Sequence, residues 1–387
     1  MTTAHAPASQ VPFAPPAIGA DEISEVIATL ESGWLTTGPR VQAFEQAFAS
    51  YVGAPHAIAL NSCTAALHLS LLASGIGTGH EVVTTPLTFC ATANTVVHAG
   101  ARPVFADVEP STGNLDPMAA AEAVTSRTRA IIPVHYTGRP VDVSAFRALA
   151  NENGLRLIED AAHCVEGIAG GKKIGTTGDF TCFSFYATKN LTTGVGGMVT
   201  TGDADAAAYI RAASLHGMSR DAWRRYAPGA TAKYDVVMAG FKYNMMDLQA
   251  AIGLHQLSRL ELLYARRVAI WTRYDRGLVD LPLTLPESAP AGDVHARHLY
   301  TVLLDEAAAG MTRDILQQRL ADRGVTTSIH FRALHLHPFY QERYNLRRGM
   351  FPVAEAFSDT TLSLPLSAAM TDTQVDRVIE AMHDVLS

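Results

Sequence analysis

Short apolar runs alternate with helical patterns along the chain from residue 56 onward. Two further apolar runs follow on either side of a glycine-containing stretch near residue 190. Such alternation predicts a mostly parallel β-sheet covered by helices on both faces, which is an α/β fold. The runs are Ala57–Leu60, Val82–Thr85, Val104–Val108, Ala130–Val134, Leu155–Ile158, Cys182–Tyr186 and Met198–Thr201.

Helical spacing predicts the elements near both ends of the chain. Apolar residues from Asp21 onward predict a first helix that ends at Gly33, and Pro39 begins a second one. Within the long helical pattern that ends near Leu278, Arg266 and Arg267 are expected to be solvated. The remaining predicted elements are helices near 203–213, 312–322 and 371–386 and strands near 299–304 and 325–331.

Prolines and small residues around positions 281–294 mark a domain boundary. We expect a loosely held N-terminal arm over residues 1–16, because this stretch is small, polar and rich in proline. A large domain over 17–280 and a smaller C-terminal α/β domain over 281–387 follow. A length of 387 residues is sufficient for two such domains with a large core.

The composition is that of a globular enzyme, with 48% hydrophobic and 17% charged residues. No apolar run approaches the roughly 20 residues of a membrane span, and no secretory signal pattern is visible. Four cysteines without CxxC spacing fit reduced thiols in a cytoplasm. A net charge of −7 argues against a nucleic-acid partner. An anionic ligand therefore needs local cations.

Lys189 is the first candidate for chemistry, because it lies among apolar, glycine and hydroxyl residues that are poor in charge. Desolvation lowers the pKa of a lysine towards that of a reactive free amine. Such an amine forms a Schiff base with the carbonyl of a substrate or of pyridoxal phosphate. The competing interpretation is a solvated loop lysine.

Asp160 is the second candidate, because it ends an apolar run that resembles a buried parallel strand. Open α/β sheets bind ligands at the carboxyl ends of their strands. A carboxylate there could pair with a protonated pyridine nitrogen and keep a cofactor ring an electron sink. An aspartate at a strand end also caps helices, so this residue alone leaves both interpretations open.

Two further local patterns suggest ligand sites. The strand-to-helix junction at residues 61–68 offers free N–H groups for a phosphate, with Thr64 and Ala65 as the candidates. An ordinary helix cap would have the same pattern. His330, His335 and His337 contain a His-x-His pair, but no third ligand of fitting context is evident, and we assign no metal.

Four motifs resemble the DegT/DnrJ/EryC1/StrS family of sugar aminotransferases. These enzymes use pyridoxal phosphate and act on nucleotide-linked keto sugars. The resemblance extends from residues 33–39 (GWLTTGP) to 362–366 (LSLPL) and implies fold type I, with a mostly parallel seven-stranded sheet between helices. The motifs are EDAAH at 159–163, GDF at 178–180, FSFYATKNL at 183–191 and GGM at 196–198.

The family resemblance assigns roles to single residues. It implies Lys189 as the catalytic Schiff-base lysine and Asp160 as the partner of the pyridine nitrogen. Phe89 stacks on the pyridine face, and His163 lies near the phenolic oxygen. Ser184 binds the phosphate together with Thr64 and Ala65, although a hydroxyl bonded within the sheet is the alternative. Trp34, Thr36, Lys242 and His330 are implied on the substrate side.

A homodimer with shared active sites is also implied by the resemblance. Asn244 is expected to reach the cofactor phosphate of the partner, although an asparagine there would equally cap the following helix. Val195 departs from the family pattern, because an acidic residue is usual between these glycines. A catalytically idle cofactor-binding regulator therefore stays a competing interpretation. A dehydratase of the same family carries histidine at the lysine position, and Lys189 argues against it.

The expected substrates are a nucleoside-diphosphate 4-keto-6-deoxyhexose, aminated at C4, and L-glutamate as amino donor. The basic segment with Arg220 could hold the diphosphate, because arginine donates two parallel hydrogen bonds. A solvated basic loop is the alternative. The choice of C4 rests on resemblance at residues 240–244, 328–333 and 339–343. A C3 aminotransferase and a 4-keto-pentose aminotransferase are the alternatives.

Overall fold

The computed structural model describes residues 10–218 and 234–387. Its centre is a seven-stranded sheet, as predicted, in the order β1-β9-β8-β5-β4-β2-β3. Six strands run in one direction, and β9 is antiparallel to both of its neighbours. The strands of this sheet are β1 (His56–Leu60), β2 (Glu81–Thr84), β3 (Arg102–Phe105), β4 (Thr128–Ile132), β5 (Arg156–Asp160), β8 (Phe180–Ser184) and β9 (Gly197–Thr201).

Helices cover both faces of this sheet, and nearly all of its strand residues are therefore buried. Most predicted helices are confirmed within one or two residues, and Gly33 ends α1 in the left-handed conformation with φ 71°. The helices are α1 (Ala20–Ser32), α2 (Pro39–Val52), α3 (Cys63–Ala73), α4 (Ala91–His98), α5 (Pro117–Glu122), α6 (Val143–Asn153), α7 (Ala204–Ala213), α8 (Asp247–Ser258), α9 (Leu260–Gly277), α10 (Glu306–Ala309), α11 (Arg313–Asp322), α12 (Pro338–Tyr344), α13 (Pro352–Thr360) and α14 (Asp372–Leu386).

Helix α1 turns its apolar side outward. Glu22 is 1% exposed and accepts a hydrogen bond from Arg259 at 2.5 Å. Ile23, Ile27 and Leu30 are 55%, 49% and 53% exposed. The spacing therefore predicts the helix correctly, while the face that packs on the chain is the polar one.

The C-terminal part contains a three-stranded antiparallel sheet of β10 (Leu283–Thr284), β11 (Tyr300–Leu304) and β12 (Thr361–Leu364). Helices α9 and α14 share one hydrophobic cluster with this sheet. The predicted strand at 325–331 is wrong. That segment makes only isolated bridges, at Val325 and Ser328, because its backbone bonds alternate between the N-terminal arm and β12. A separate hairpin joins β6 (Ile168–Ala169) and β7 (Lys172–Lys173).

The N-terminal arm is fixed over residues 10–16, so the expectation of a loose arm is wrong for this part. Val11 is 1% exposed, and its N–H donates to the carbonyl of Gly324 at 2.8 Å. The Leu366 N–H donates to the carbonyl of Phe13 at 3.2 Å. These contacts hold the arm against the C-terminal part of the chain.

The long helical pattern after residue 247 is divided at Arg259 into α8 and α9. Arg266 donates to Asp372 at 2.8 Å on the surface. Arg267, however, is 3% exposed and contacts buried Glu166, so the expectation of solvation is wrong for it. In the described part of the chain, no helix combines the length and the apolar character needed to cross a membrane.

Candidate active site

A cavity of about 460 Å³ opens at the carboxyl ends of β5 and β8. Parallel strands bring residues from distant positions to this edge of the sheet. Its wall also includes the start of α3, the segment before α4 and the loop at 330–331. Eight of the residues singled out by sequence line it: Thr64, Phe89, Asp160, His163, Ser184, Lys189, Val195 and His330.

Asp160 lies at the end of β5 and is 4% exposed. Oδ2 accepts a hydrogen bond from Thr92 at 2.8 Å, and Oδ1 accepts one from the Ala162 N–H at 3.1 Å. Burial raises the pKa of Asp160, while the bond from Thr92 lowers it. A cation beside this carboxylate, such as a protonated pyridine nitrogen, would favour its ionised form.

Glu159 and His135 form a buried pair behind Asp160, which the sequence analysis did not identify. The Val141 N–H donates to His135 Nδ1, so the ring proton lies on Nε2 and is donated to Glu159 at 3.0 Å. Thr177 also donates to Glu159, at 2.7 Å. A fully buried carboxylate needs such partners. The signal available in the sequence was the second acidic residue at the end of the strand.

Lys189 lies beside Asp160 in the cavity wall. Desolvation lowers its pKa to about 8, against the opposing effect of the Cys63 thiol and the Asp160 carboxyl. The unprotonated fraction of this amine near neutral pH is therefore much larger than for an ordinary lysine, and the unprotonated form is the one that nucleophilic and basic chemistry requires. The environment agrees with the charge-poor sequence around the residue.

The residue after the lysine ties this loop to α9. Asn190 donates to Glu166 at 2.8 Å and to the carbonyl of Ala296 at 2.8 Å. Glu166 in turn contacts Arg267, and both side chains are buried. The buried pair thus positions Asn190 and, through the backbone, Lys189. Sequence reasoning missed this support because the residues are far apart along the chain.

The phosphate candidates lie where β1 leads into α3. Ser62 caps α3 by accepting a hydrogen bond from the Ala65 N–H at 3.1 Å. Ala65 is buried and does not line the cavity, while Thr64 and Ser184 do. Gly197 permits β9 to approach this junction, because a Cβ at Gly197 would lie 2.3 Å from the carbonyl carbon of Ser62. The phosphate roles stay predictions.

Three histidines of the cavity are neutral near pH 7. Burial, and secondarily the charge of Lys189, lowers the pKa of His330 to about 3. The same two causes hold the pKa of His163 and His298 well below the usual range. Buried His163 Nδ1 has no hydrogen-bond partner among the described residues. Such an atom is available to a polar group of a ligand, as the phenolic oxygen of pyridoxal phosphate would provide.

Four other predicted residues lie outside the described cavity lining. Trp34 donates to the carbonyl of Thr37 at 3.1 Å, and Thr36 is exposed. Lys242 donates to Asn244 at 2.7 Å, and Asn244 donates to Thr37 at 2.7 Å. To contact cofactor or substrate as predicted, these residues would have to face the cavity of another subunit or a substrate that extends beyond this cavity.

The remaining predicted residues are Arg220 and the histidines at 330, 335 and 337, and the described histidines do not share one site. Arg220 lies outside the described residues. His330 Nδ1 contacts Ser363 Oγ at 2.9 Å, whereas His335 contacts Glu355 at 2.9 Å. Among described residues, no cluster of three or more histidine, cysteine or acidic side chains could hold a metal ion.

Comparisons with known proteins connect this geometry to a family. The chain matches the model of the DegT/DnrJ/EryC1/StrS aminotransferase family over residues 16–383. The chain belongs to this family. It is 50% identical over 377 residues to the spore coat polysaccharide biosynthesis protein SpsC of Bacillus subtilis (strain 168), and 97% of each chain is covered.

Solved structures agree with this assignment. Spr1654 from Streptococcus pneumoniae, described as a sugar aminotransferase and solved in its PLP form, has a TM-score of 0.90 and 31% identity, with 98% of this chain and 100% of that chain covered. Helicobacter pylori PseC, an aminotransferase involved in the biosynthesis of pseudoaminic acid, has a TM-score of 0.90 and 28% identity, with 97% and 99% covered. The protein is therefore a pyridoxal-phosphate-dependent sugar aminotransferase of fold type I.

Proposed function

We propose that the enzyme transfers the amino group of L-glutamate to C4 of a nucleoside-diphosphate 4-keto-6-deoxyhexose. The observation that carries the proposal is Lys189, with its lowered pKa, in one cavity with buried Asp160. The choice of C4 rests on the resemblance at residues 240–244, 328–333 and 339–343. SpsC and PseC, named for polysaccharide and pseudoaminic acid biosynthesis, support an amino-sugar product.

The cavity offers a partner for each part of the cofactor. When bound, pyridoxal phosphate supplies an electron sink that acidifies the Cα–H bond of the amino donor. Asp160 would pair with the pyridine nitrogen, and Thr64 and Ser184 would hold the phosphate. Phe89 would cover the ring, and His163 Nδ1 would contact the phenolic oxygen.

Lys189 performs the proton transfers in this proposal. Lys189 would hold the cofactor until the amino donor displaces it. Its Nζ would then be free to accept the proton from the donor Cα and to pass it to the bound cofactor. With the keto sugar, Lys189 returns a proton to the sugar carbon that gains the amine. A lysine of ordinary pKa, about 10.4, would have a far smaller unprotonated fraction at pH 7 with which to accept the first proton.

A second copy of this chain completes the site in our proposal. The outward apolar side of α1, formed by Ile23, Ile27 and Leu30, is a contiguous surface of the kind that marks an interface. Val195 and Met246 are also exposed, at 51% and 41%. Asn244 would then reach the cofactor phosphate of the partner.

Two further parts of the proposal rest on the sequence. Arg220 would bind the diphosphate of the substrate. We place the dimer in the cytoplasm, where its four cysteines stay reduced.

Separate half-reactions test the function. L-Glutamate should bleach the long-wavelength absorbance of the holoenzyme, and a 4-keto sugar nucleotide should restore it. A 3-keto isomer that restores absorbance while 4-keto sugars do not would support the C3 alternative. A 4-keto pentose that restores absorbance better than the hexose would support the 4-keto-pentose alternative. No bleaching by any amino donor would indicate the idle regulator.

Mixing two inactive variants tests the shared site. Dimers of Lys189→Ala and Asn244→Ala chains should recover activity, because one of their two sites regains both residues. Failure to recover activity in confirmed mixed dimers would refute the role of Asn244 across the interface.

A further inference from the structure

The arm residue Phe13 has a fixed position in the cavity wall. The carbonyl of Val11 accepts a hydrogen bond from the Thr326 N–H at 3.0 Å, and the carbonyl of Pro15 accepts one from Ser367 Oγ at 2.5 Å. With the bonds already described, the arm is tied before, at and after Phe13. An aromatic side chain on such a backbone presents a defined surface to a ligand.

Phe13 belongs to an apolar side of the cavity. Its ring stacks on that of His330, with centroids 5.6 Å apart and an interplanar angle of 23°. Phe331 lines the cavity next to His330. Phe331 also contacts two residues proposed for the cofactor, with its ring centroid 6.0 Å from that of His163 and 6.3 Å from that of Phe89. The side formed by Phe13, His330 and Phe331, named here the aromatic wall, therefore extends from the cofactor residues to the arm. Phe13, at the arm end of this wall, is left for the second substrate.

The aromatic wall carries no charge among the described residues. His330 is neutral at pH 7, and its Nδ1 is already engaged by Ser363 Oγ. In the described lining of the cavity, only Lys189 and Asp160 are charged. A carboxylate or hydroxyl placed on this wall would lose water without gaining a strong partner. A methyl group or the C–H face of a sugar ring would gain from burial there.

We propose that Phe13 is a specificity-determining residue whose ring packs against the hexose and its C6 methyl group. This inference rests on the proposed nucleotide-sugar substrate and deepens it, because it explains how a 6-deoxy sugar is preferred over a sugar without that methyl group. It does not depend on whether the amine is added at C3 or C4. Stacking of Phe13 on the nucleobase is the competing interpretation.

Binding of unreactive nucleotide sugars tests the role of Phe13 without turnover. Thymidine-diphosphate 6-deoxyglucose and thymidine-diphosphate xylose differ only by the methyl group, and their Kd values are measured by calorimetry on holoenzyme. One methyl group in an apolar pocket is worth about 10-fold or more, so wild type should prefer the 6-deoxy sugar by that factor. Phe13→Ala should reduce the preference to about 2-fold or less, while Phe13→Leu keeps part of it.

Three controls separate this role from others. Thymidine diphosphate alone should bind wild type and Phe13→Ala equally, and bleaching by L-glutamate should proceed at the same rate. Leu262→Ala removes an apolar side chain that is 70% exposed and is not part of the described cavity lining, and it should leave the sugar preference unchanged. Circular dichroism of each variant checks that the fold is intact.

Three results would overturn the proposal. The first is a wild-type enzyme without preference for the methyl group. The second is a preference that survives undiminished in both Phe13 variants. The third is a loss of thymidine-diphosphate affinity in Phe13→Ala, which would place the nucleobase on this ring. If the methyl preference depends on Phe13 but no 4-keto sugar is aminated, the proposed regiochemistry fails and the role of Phe13 stands.

Discussion

Thr92→Val tests how the protein keeps Asp160 ionised. Thr92 is 1% exposed, and its hydroxyl donates to Asp160 Oδ2 at 2.8 Å. Valine has nearly the same shape but no donor. A hydrogen bond to a charged group contributes about 1.5–3 kcal/mol, and 1.36 kcal/mol corresponds to one pKa unit. The pKa of Asp160, already raised by burial, should therefore rise further, because the ionised form loses a hydrogen bond worth about that much.

The consequence is a loss of activity that is largest in acid. The ionised carboxylate is the form that stabilises a protonated pyridine nitrogen, so the acidic limb of the pH–rate profile should move to higher pH by about 1–2 units. The dissociation constant of the cofactor, followed by absorbance, should rise about 10-fold or more at pH values near the acidic limb. At pH values well above the pKa of Asp160 in both wild type and variant, the activity of Thr92→Val should approach that of wild type.

Thr95→Val is the matched control, because Thr95 is equally buried in α4 but donates only to the carbonyl of Thr92. It should leave the acidic limb in place. An unchanged limb in Thr92→Val, with the fold intact, would refute the idea that this bond maintains the charge on Asp160.

Further predictions concern Lys189, Ser184 and Asp247. Lys189→Ala should abolish turnover with the fold retained, and borohydride reduction of wild type should attach the cofactor to the peptide containing Lys189. More than trace transamination by this variant would contradict the assignment. Uptake of pyridoxal phosphate by apoenzyme should accelerate as pH rises through about 8, because the free amine of Lys189 increases, and a rate independent of pH would argue against the lowered pKa. Ser184→Ala should raise the cofactor dissociation constant, whereas an equal constant would count against a phosphate role. Asp247→Ala should lower the free energy of unfolding by about 2–3 kcal/mol, since its carboxylate accepts the N–H groups of Gly38, Arg40 and Val41. Exposed Asp322→Ala should change it by less than about 0.5 kcal/mol, and equal effects in a urea titration would contradict this reasoning.

The large sheet was predictable because parallel strands are buried on both faces and appear as short apolar runs. Its strands at 56–60 and 197–201 were placed almost to the residue, and the acidic end of β5 pointed to the carboxyl edge. The lysine was predictable for a similar reason. Its apolar and small neighbours form the poorly solvated loop that lowers its pKa.

Long-range contacts could not be predicted from local patterns. Periodicity identified α1, but its apolar side faces outward because Glu22 is held by Arg259 across 237 positions. Arg267 looked like a surface residue until the fold placed it against Glu166. Phe13 lay in a segment without helical or strand pattern, and backbone bonds to distant residues give it a defined place.

The position of the new amine tests the central claim most directly. Holoenzyme is incubated with [15N]glutamate and a thymidine-diphosphate 4-keto-6-deoxyglucose, and the product is analysed by NMR. We predict that the 15N label is bonded to C4 of the hexose and that Lys189→Ala forms none of this product. An amine at C3, or transfer only to a 3-keto isomer, would contradict the account.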